Sequence, residues 1–291
     1  DTLIDGAIAS YAQLGFRQSG FMLGAGTGNR IRNSVAVGLQ GWGADASGFG
    51  WQEDNKGNWL FDDNTAHNNT AHGIFNWQNE PLEHFPIRRF VAYFNTGDGI
   101  KHGAYLNRFR YEDNYLYANH GAGLELLATS SPQEDPHTGQ PLPNDHPLSF
   151  VRMTIDQAGL PSPAIRTADH RLSSQGYPGV IRDSTLKGST GPQVVADTPE
   201  FNNPDYYDFI NNTYQGTPFA FTANHVVPGN TWRIQDPTNG TIALHPSYEP
   251  GGVYNPNWNT TITPIPPFAQ PDFTSPFSDQ LSAEPVPTPG P

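Results

Sequence analysis

Lys101 and Glu125 are the two residues whose types and spacing best suit acid–base chemistry on a bound ligand. An internal repeat places a glycine at positions 73, 99 and 123. Phe75, Lys101 and Glu125 each lie two residues after one of these glycines. We therefore expect the three side chains to lie one above another, with Trp77 on the same face. A lysine can neutralise an anion or remove a proton, a glutamate can serve as acid or base, and aromatic faces stack on sugar rings. The alternative interpretation is an exposed Lys–Glu pair beside an aromatic packing patch.

Further titratable residues lie close to this pair. Asp98 and His72 share the corner column that precedes the strands, and His102 directly follows Lys101. Histidine is the usual proton carrier near neutral pH. We therefore predict Lys101, Glu125 and His102 as catalytic residues. The predicted substrate-binding residues are Phe75, Trp77, Arg88, Arg89 and Asp98.

Arg88 and Arg89 belong to a second charged column. Alignment of the repeats places them between the acidic pairs Asp62-Asp63 and Glu112-Asp113, which predicts an ion-pair ladder between strands about 4.8 Å apart. A guanidinium group could also clamp a uronate carboxylate through two parallel N–H groups. The alternative is surface charge matching, in which each pair contributes about 0–1 kcal/mol.

Metal and cofactor binding has little support in the sequence. The chain contains no cysteine, and its ten histidines form no HxH or HExxH spacing. No metal ligands are therefore predicted, although the oxygen-rich loops at 43–48 and 52–58 would suit calcium. His67 aligns with Tyr93 and Tyr117, which predicts an aromatic stack in the core.

These columns come from a repeat that runs from Asn58 to Ala128. Three lines of sequence align when the glycines at positions 73, 99 and 123 are set in one column, so the second step is slightly shorter than the first. The glycine column is Gly73, Gly99 and Gly123. Apolar residues form a second column, Ile74, Ile100 and Leu124, and asparagines form a third, Asn69, Asn95 and Asn119.

A repeat of this kind predicts an all-β solenoid. Each line holds two short β-rich runs bounded by glycine and asparagine, and none has a helical apolar stripe. A strand-only unit of about 25 residues cannot bury its apolar face alone, so it must stack on its neighbours. We expect Asn69, Asn95 and Asn119 to form a buried ladder of side-chain amides, with left-handed backbone at these asparagines.

The corner asparagines, the glycine followed by isoleucine or leucine at each strand start, and the irregular coil length resemble the pectin-lyase-like right-handed parallel β-helix superfamily. Runs such as DDNTAHNNTAHGIFNWQN are most similar to its secreted microbial members, and the resemblance covers about residues 1–245. It implies a right-handed parallel β-helix. It does not imply one activity, because the superfamily includes lyases, hydrolases, epimerases, phage tailspikes and adhesins.

The chain organisation follows from breaks in the pattern. The β-helix is predicted over 1–245, interrupted by a Pro-rich inserted loop without strands at 129–147. The residues 231–245 predict a hairpin that caps the solenoid. The residues 246–291 predict a Pro-rich extended tail, with no strand after residue 264.

The composition excludes some classes of binding partner and favours one cellular location. A formal charge of −13 and a pI near 5.0 argue against nucleic acid and anionic membranes as partners. No stretch approaches the roughly 20 apolar residues of a membrane span. The lack of cysteine does not locate the protein, but it fits many secreted bacterial proteins and argues against an animal extracellular one, and the Asn-rich corners suit an extracellular solenoid. We expect a secreted or cell-surface protein of bacterial type, with a processed or truncated N-terminus.

Two functions remain open at this point. One is an extracellular carbohydrate-active β-helix that acts on or binds a polysaccharide along one face; as an enzyme, it would be a polysaccharide lyase, a glycoside hydrolase or an epimerase. The other is a non-enzymatic structural or adhesive module, such as a fibre or complex subunit, that contacts other protein chains through the solenoid ends or the tail.

Overall fold

A computed structural model describes residues 2–15, 18–41, 46–51, 57–77, 85–103, 109–127, 129–131, 148–167, 170–172, 179–196, 207–217, 219–221, 232–235, 242–245 and 261–262. Within these ranges the regular structure is entirely β, and no helix is present that could cross a membrane. The predicted parallel β-helix is confirmed.

Each coil contributes one short strand to each of three long sheets. The first sheet contains Leu3–Asp5, Asn29–Arg32, Trp59–Asp62, Phe85–Arg88, Phe109–Glu112, Ser149–Val151, Gly179–Arg182, Tyr207–Ile210, Trp232–Gln235, Ile242–His245 and Thr261–Ile262. The second contains Ile8–Ser10, Val35–Val37, Thr65–His67, Val91–Tyr93, Tyr115–Tyr117, Thr154–Asp156, Thr185–Lys187 and Thr213–Tyr214. The third contains Ser19–Leu23, Ser47–Trp51, Ile74–Trp77, Ile100–Gly103, Leu124–Leu126, Ile165–Thr167, Val194–Ala196 and Phe219–Phe221.

The register of the parallel strands confirms the repeat. Ile74 pairs with Ile100, which pairs with Leu124, and all three side chains are fully buried. The glycine column has a steric reason: a Cβ atom on Gly99 would lie 2.7 Å from the carbonyl oxygen of Gly123. The three regular coils therefore approach one another too closely at this corner for a side chain.

The asparagine ladder is also confirmed. Asn69 Nδ2 donates to Asn95 Oδ1 at 2.9 Å, and Asn95 Nδ2 donates to Asn119 Oδ1 at 2.9 Å, with all three residues fully buried. The expected left-handed backbone was misplaced by one residue. Positive φ angles occur just before the ladder, at Asn68, Phe94 and Ala118, because the chain must turn there before the amide can point inward.

Aromatic rings fill the core between the sheets. Phe49, Phe61 and Phe90 are fully buried, and their ring centroids lie 5.1 to 5.9 Å apart in edge-to-face contacts. Such contacts are the favoured geometry for aromatic pairs, so these rings join the three sheets into one core.

Two short pairings lie outside the long sheets. Gln13–Leu14 pairs with Gln40–Gly41, and Thr129–Ser131 pairs with His170–Leu172. The prediction that 129–147 contains no strand was therefore wrong for its first three residues, which continue a β ladder onto the next coil. Residues 132–147 lie outside the described part of the chain.

The predicted hairpin is present at the C-terminal end of the first sheet. Trp232–Gln235 pairs antiparallel with Ile242–His245. A further strand, Thr261–Ile262, pairs antiparallel with Ile242 and Ala243, within the segment predicted as a tail. Residues 263–291 lie outside the described ranges.

Candidate functional site

The outer face of the third sheet carries the predicted Phe75, Lys101 and Glu125 column. Strand alternation buries Ile74, Ile100 and Leu124 and turns the next residue of each strand outward. Phe75 pairs with Lys101, and Lys101 pairs with Glu125, in parallel register. The expected juxtaposition is therefore present on three successive coils.

Lys101 lies between two carboxyl groups. Its Nζ is 2.9 Å from Glu125 Oε2 and 3.9 Å from Asp98 Oδ2. The side chains of Lys101 and Glu125 are 18% and 15% exposed, whereas that of Asp98 is only 4% exposed. A ligand on this face would thus meet the ammonium group and the Glu125 carboxyl group, with Asp98 beneath them.

Asp98 and Glu125 have opposite pKa shifts. Burial would raise the pKa of Asp98, but contacts with His72 and Glu125 and the charge of Lys101 outweigh it and lower the pKa to about 2. Burial, a hydrogen bond with Asp98 and the charge of Asp98 together raise the pKa of Glu125 above its ordinary value. When the two carboxyl groups share one proton, Glu125 therefore holds it.

His72 lies against Asp98 in the preceding corner. Its Nδ1 is 2.9 Å from the backbone nitrogen of Asp98 and 3.0 Å from Asp98 Oδ2. Nδ1 accepts the backbone N–H when it carries no proton and donates to the carboxylate when it carries one, since one nitrogen cannot do both at once. His72 Nε2 is buried and has no hydrogen-bond partner among the described residues.

Backbone contacts and glycines fix the Asp98 carboxylate in place. Its Oδ1 accepts the backbone N–H of Ala122 at 2.7 Å. A Cβ atom on Gly121 would collide with that same oxygen, and one on Gly97 would lie 2.6 Å from His72 Nδ1. Glycine at both corners is therefore a condition for this arrangement.

Phe75 and Trp77 form a row of rings beside the charged cluster. Their centroids lie 6.3 Å apart with an interplanar angle of 10°, and the His72 ring lies 5.8 Å from Phe75 on the other side. Both aromatic residues are half-buried, as an apolar platform on a sheet face requires.

His102 does not reach this face. It points into the core, is fully buried, and its Nδ1 lies 2.6 Å from the hydroxyl oxygen of Tyr111. The prediction of His102 beside Lys101 and Glu125 was wrong in placement, because neighbouring residues of a strand point to opposite sides of the sheet. His72, which shares a corner column with Asp98, is the histidine that joins the cluster.

Arg88 and Arg89 also lie elsewhere, on the outer side of the first sheet. Arg88 Nε is 3.1 Å from Glu112 Oε2, and Arg89 Nε is 2.6 Å from Asp63 Oδ1. The predicted ion-pair ladder is confirmed. The predicted contact of these arginines with the same ligand as Lys101 is not supported, because they belong to a different sheet.

No cluster of three or more histidine and carboxylate side chains that could hold a metal occurs among the described residues. The oxygen-rich loops considered for calcium, 43–48 and 52–58, lie largely outside them.

Comparisons with known proteins add one structural likeness. No family model matches the sequence, and no curated protein matches it. Among solved structures, the A-module of the mannuronan C-5 epimerase AlgE4 from Azotobacter vinelandii aligns with a TM-score of 0.39 and 14% identity, covering 68% of this chain. The alignment spans 57% of that module.

Proposed function

We propose that this protein is a carbohydrate-active β-helix enzyme that removes a proton next to the carboxylate of a uronic acid unit in a polysaccharide. The reaction class is that of a polysaccharide lyase or epimerase. The observation that carries the proposal is the placement of Lys101 between Glu125 and Asp98 on the outer face of the third sheet. An extracellular location, where such polymers occur, is part of the same proposal.

Lys101 supplies the positive charge that an anionic substrate needs. The chain carries a formal charge of −13, so a uronate polymer is repelled unless a local cation offsets that field. A partly exposed ammonium group can bind the uronate carboxylate, and neutralising it makes the adjacent carbon-bound proton more acidic.

Glu125 is suited to the proton transfer. Its raised pKa gives the ionised carboxylate a higher proton affinity than an ordinary glutamate has, which favours removal of a weakly acidic proton. Asp98 and His72 are too deeply buried to contact a chain on this face, so their role is to position Lys101 and Glu125 and set their charge.

The burial of Asp98 disfavours glycoside hydrolysis. The Asp98 side chain is only 4% exposed beneath Lys101, so Glu125 is the carboxyl group of the cluster that a sugar chain can reach. Retaining and inverting hydrolases instead need two carboxyl groups about 5 to 9.5 Å apart on opposite sides of the scissile bond. One reachable carboxyl group beside an ammonium group fits proton abstraction from one face of the sugar ring.

The test is to incubate the protein with polygalacturonate and alginate in D₂O. A lyase generates ultraviolet-absorbing unsaturated ends, and an epimerase incorporates deuterium without cleaving the chain. We expect one of these products from the parent protein and its loss in Lys101→Ala and Glu125→Gln. The matched control is Lys187→Ala, because Lys187 pairs with Asp156 at 3.2 Å on the second sheet.

Other results would contradict the proposal. New reducing ends without unsaturation or deuterium would indicate hydrolysis. Parent protein and variants that retain a glycan equally well, with no detectable turnover, would favour the non-enzymatic adhesive module.

A further inference from the structure

The outer face of the second sheet carries a cluster of rings, which we call the aromatic patch. It consists of His67, Tyr93, Phe94, Tyr115 and Tyr117, which lie on three successive coils. All five are half-buried or exposed, so the predicted placement of the His67 stack in the core was wrong. The patch belongs to a different sheet from Lys101 and Glu125, and the third-sheet chemistry makes no use of it.

The rings hold one another in fixed positions. His67 stacks on Tyr93 with centroids 4.5 Å apart and an interplanar angle of 4°. The ring of Phe94 stands nearly perpendicular to Tyr93 and Tyr117, at 5.4 and 5.7 Å. Rings ordered before binding lose little conformational entropy when a ligand packs against them.

Phe94 is the residue that the fold does not need as an aromatic. It has a left-handed backbone, with φ of 55°, and is 40% exposed. The same position after the second-sheet strand holds Tyr11, Gly38, Asn68 and Ala118 in other coils, also with positive φ. A bulky side chain in this conformation is strained, and Phe94 combines that strain with contacts to two tyrosine rings, which points to a role in binding.

Neutral polar groups surround the rings. The hydroxyl groups of Tyr93, Tyr115 and Tyr117 make no hydrogen bond to another described residue, and Thr65 and Thr154 lie beside them on the same face. Asp156, the strand neighbour of Tyr117, is paired with Lys187 at 3.2 Å. Burial raises the pKa of Tyr93, so its hydroxyl remains a neutral donor and acceptor.

We propose that the aromatic patch binds neutral sugar units of a polysaccharide, by ring stacking on Phe94 and its neighbours and by hydrogen bonds to the tyrosine hydroxyl groups. Sugar rings present apolar C–H faces and hydroxyl edges, which match this mixture of aromatic faces and neutral polar tips. The carboxylate beside the rings, Asp156, is already paired with Lys187, which favours a neutral ligand over a charged one.

The size of the patch favours a sugar over a second copy of the chain. Two coil spacings of about 4.8 Å and three residues of about 3.3 Å each give a patch roughly 10 Å across. A stable dimer buries about 800 Å² on each partner, several times more than this area. Of the exposed large hydrophobic residues in the described chain, only Phe94 belongs to the patch.

The test is affinity electrophoresis in gels that contain hydroxyethylcellulose or galactomannan, with polygalacturonate as the anionic comparison. We expect the parent to be retarded by a neutral polymer and Phe94→Asn to bind it about tenfold more weakly, as loss of one stacking ring predicts. Asparagine occupies this position in the preceding coil as Asn68, so the variant should fold normally. Circular dichroism and thermal melting check the fold.

The matched control is Tyr11→Asn. Tyr11 is an exposed aromatic with positive φ at the same position of the first coil, three coils before Phe94. Retardation should persist in this control and in Lys101→Ala, so that failure of the patch and failure of the third-sheet chemistry can be told apart. No retardation of the parent, equal retardation of Phe94→Asn, or a dimer that Phe94→Asn dissociates would overturn the proposal.

Discussion

The outer faces of the second and third sheets are built by the same coils but carry opposite kinds of surface. On the third sheet, Lys101, Glu125 and Asp98 form a charged cluster in which the pKa values of the two carboxyl groups are shifted in opposite directions. On the second sheet, the rings of the aromatic patch form a rigid and uncharged surface. The buried asparagine ladder lies between these two strands in the three regular coils. A repeat therefore fixes the backbone and leaves each outward column free to acquire its own chemistry.

The largest expected effect separates the two faces by activity. Glu125→Gln should reduce turnover of a uronate polymer by about 10²- to 10⁴-fold, because it removes the group that exchanges the proton. Binding of neutral polymer to the aromatic patch should remain unchanged. Steady-state kinetics and affinity electrophoresis on the same preparation measure both. A parallel loss of both properties would mean that the faces are not independent.

The next prediction concerns the buried asparagine ladder, which supports both outer faces. Asn95→Ala removes the acceptor for the Asn69 backbone N–H and the donor to the Ala66 carbonyl group, both fully buried. We expect a loss of about 2–3 kcal/mol in the free energy of unfolding, measured by urea denaturation. The control is Asn68→Gly at the exposed neighbouring position, which should cost less than about 1 kcal/mol. If Asn95→Ala impaired only turnover or only glycan binding, the ladder would not be a scaffold shared by both faces.

The pH dependence of stability should come from the third-sheet face. The pKa of Glu125 is raised in the folded protein, so its contribution is fully present below about pH 4.5 and is lost as the pH rises through the folded value. The pKa of Asp98 is lowered to about 2, so its contribution is present above pH 3.8 and is lost as the pH falls toward 2.

Glu125→Gln tests the contribution of this carboxyl group directly. The amide oxygen can still accept the hydrogen bond from Lys101, but the side chain no longer ionises. Thermal melting as a function of pH should show a smaller loss of stability above pH 4.5 in this variant than in the parent. Phe94→Asn on the other face should leave the profile unchanged. Identical profiles for parent and Glu125→Gln would show that this carboxyl group is not perturbed.

The smallest effect concerns the column that ends the second-sheet strands. Ala118 is buried and has φ of 47°, so Ala118→Gly should relieve backbone strain and raise the free energy of unfolding by about 0.5 kcal/mol. Turnover and glycan binding should both stay at the parent level. A destabilised variant would indicate that the Ala118 methyl group contributes packing that outweighs the strain.

The repeat made the fold and the register predictable from the sequence. Aligning the glycine column was sufficient to place Phe75 beside Lys101 and Lys101 beside Glu125. Each of these residues lies two positions after its glycine, so the parallel strands stack in register. The alternation of the same strands also implies that His102 points inward. Closeness in sequence to Lys101 was the misleading criterion.

The rest of the site depended on three-dimensional detail. The alignment placed His72 and Asp98 in one corner column, but it did not show that Asp98 lies buried beneath Lys101 and accepts the backbone N–H of Ala122. Arg88 and Arg89 were assigned to the same ligand by residue type, whereas the structure pairs them with carboxylates on another sheet. The sequence pattern predicted which residues lie one above another in a column. It did not predict which columns lie on the same sheet and can contact one ligand.

The constant corners of the solenoid bear on how its sequence tolerates insertions. In the three regular coils, the links from the first-sheet strand to the second, and from the second to the third, keep the same length. The coils differ in length only after the third-sheet strand, where the link from Trp77 to Phe85 is longer than the link from Gly103 to Phe109. Chain length can therefore change at that crossing without shifting any column, which makes it the natural position for grafted or evolving loops beside Lys101.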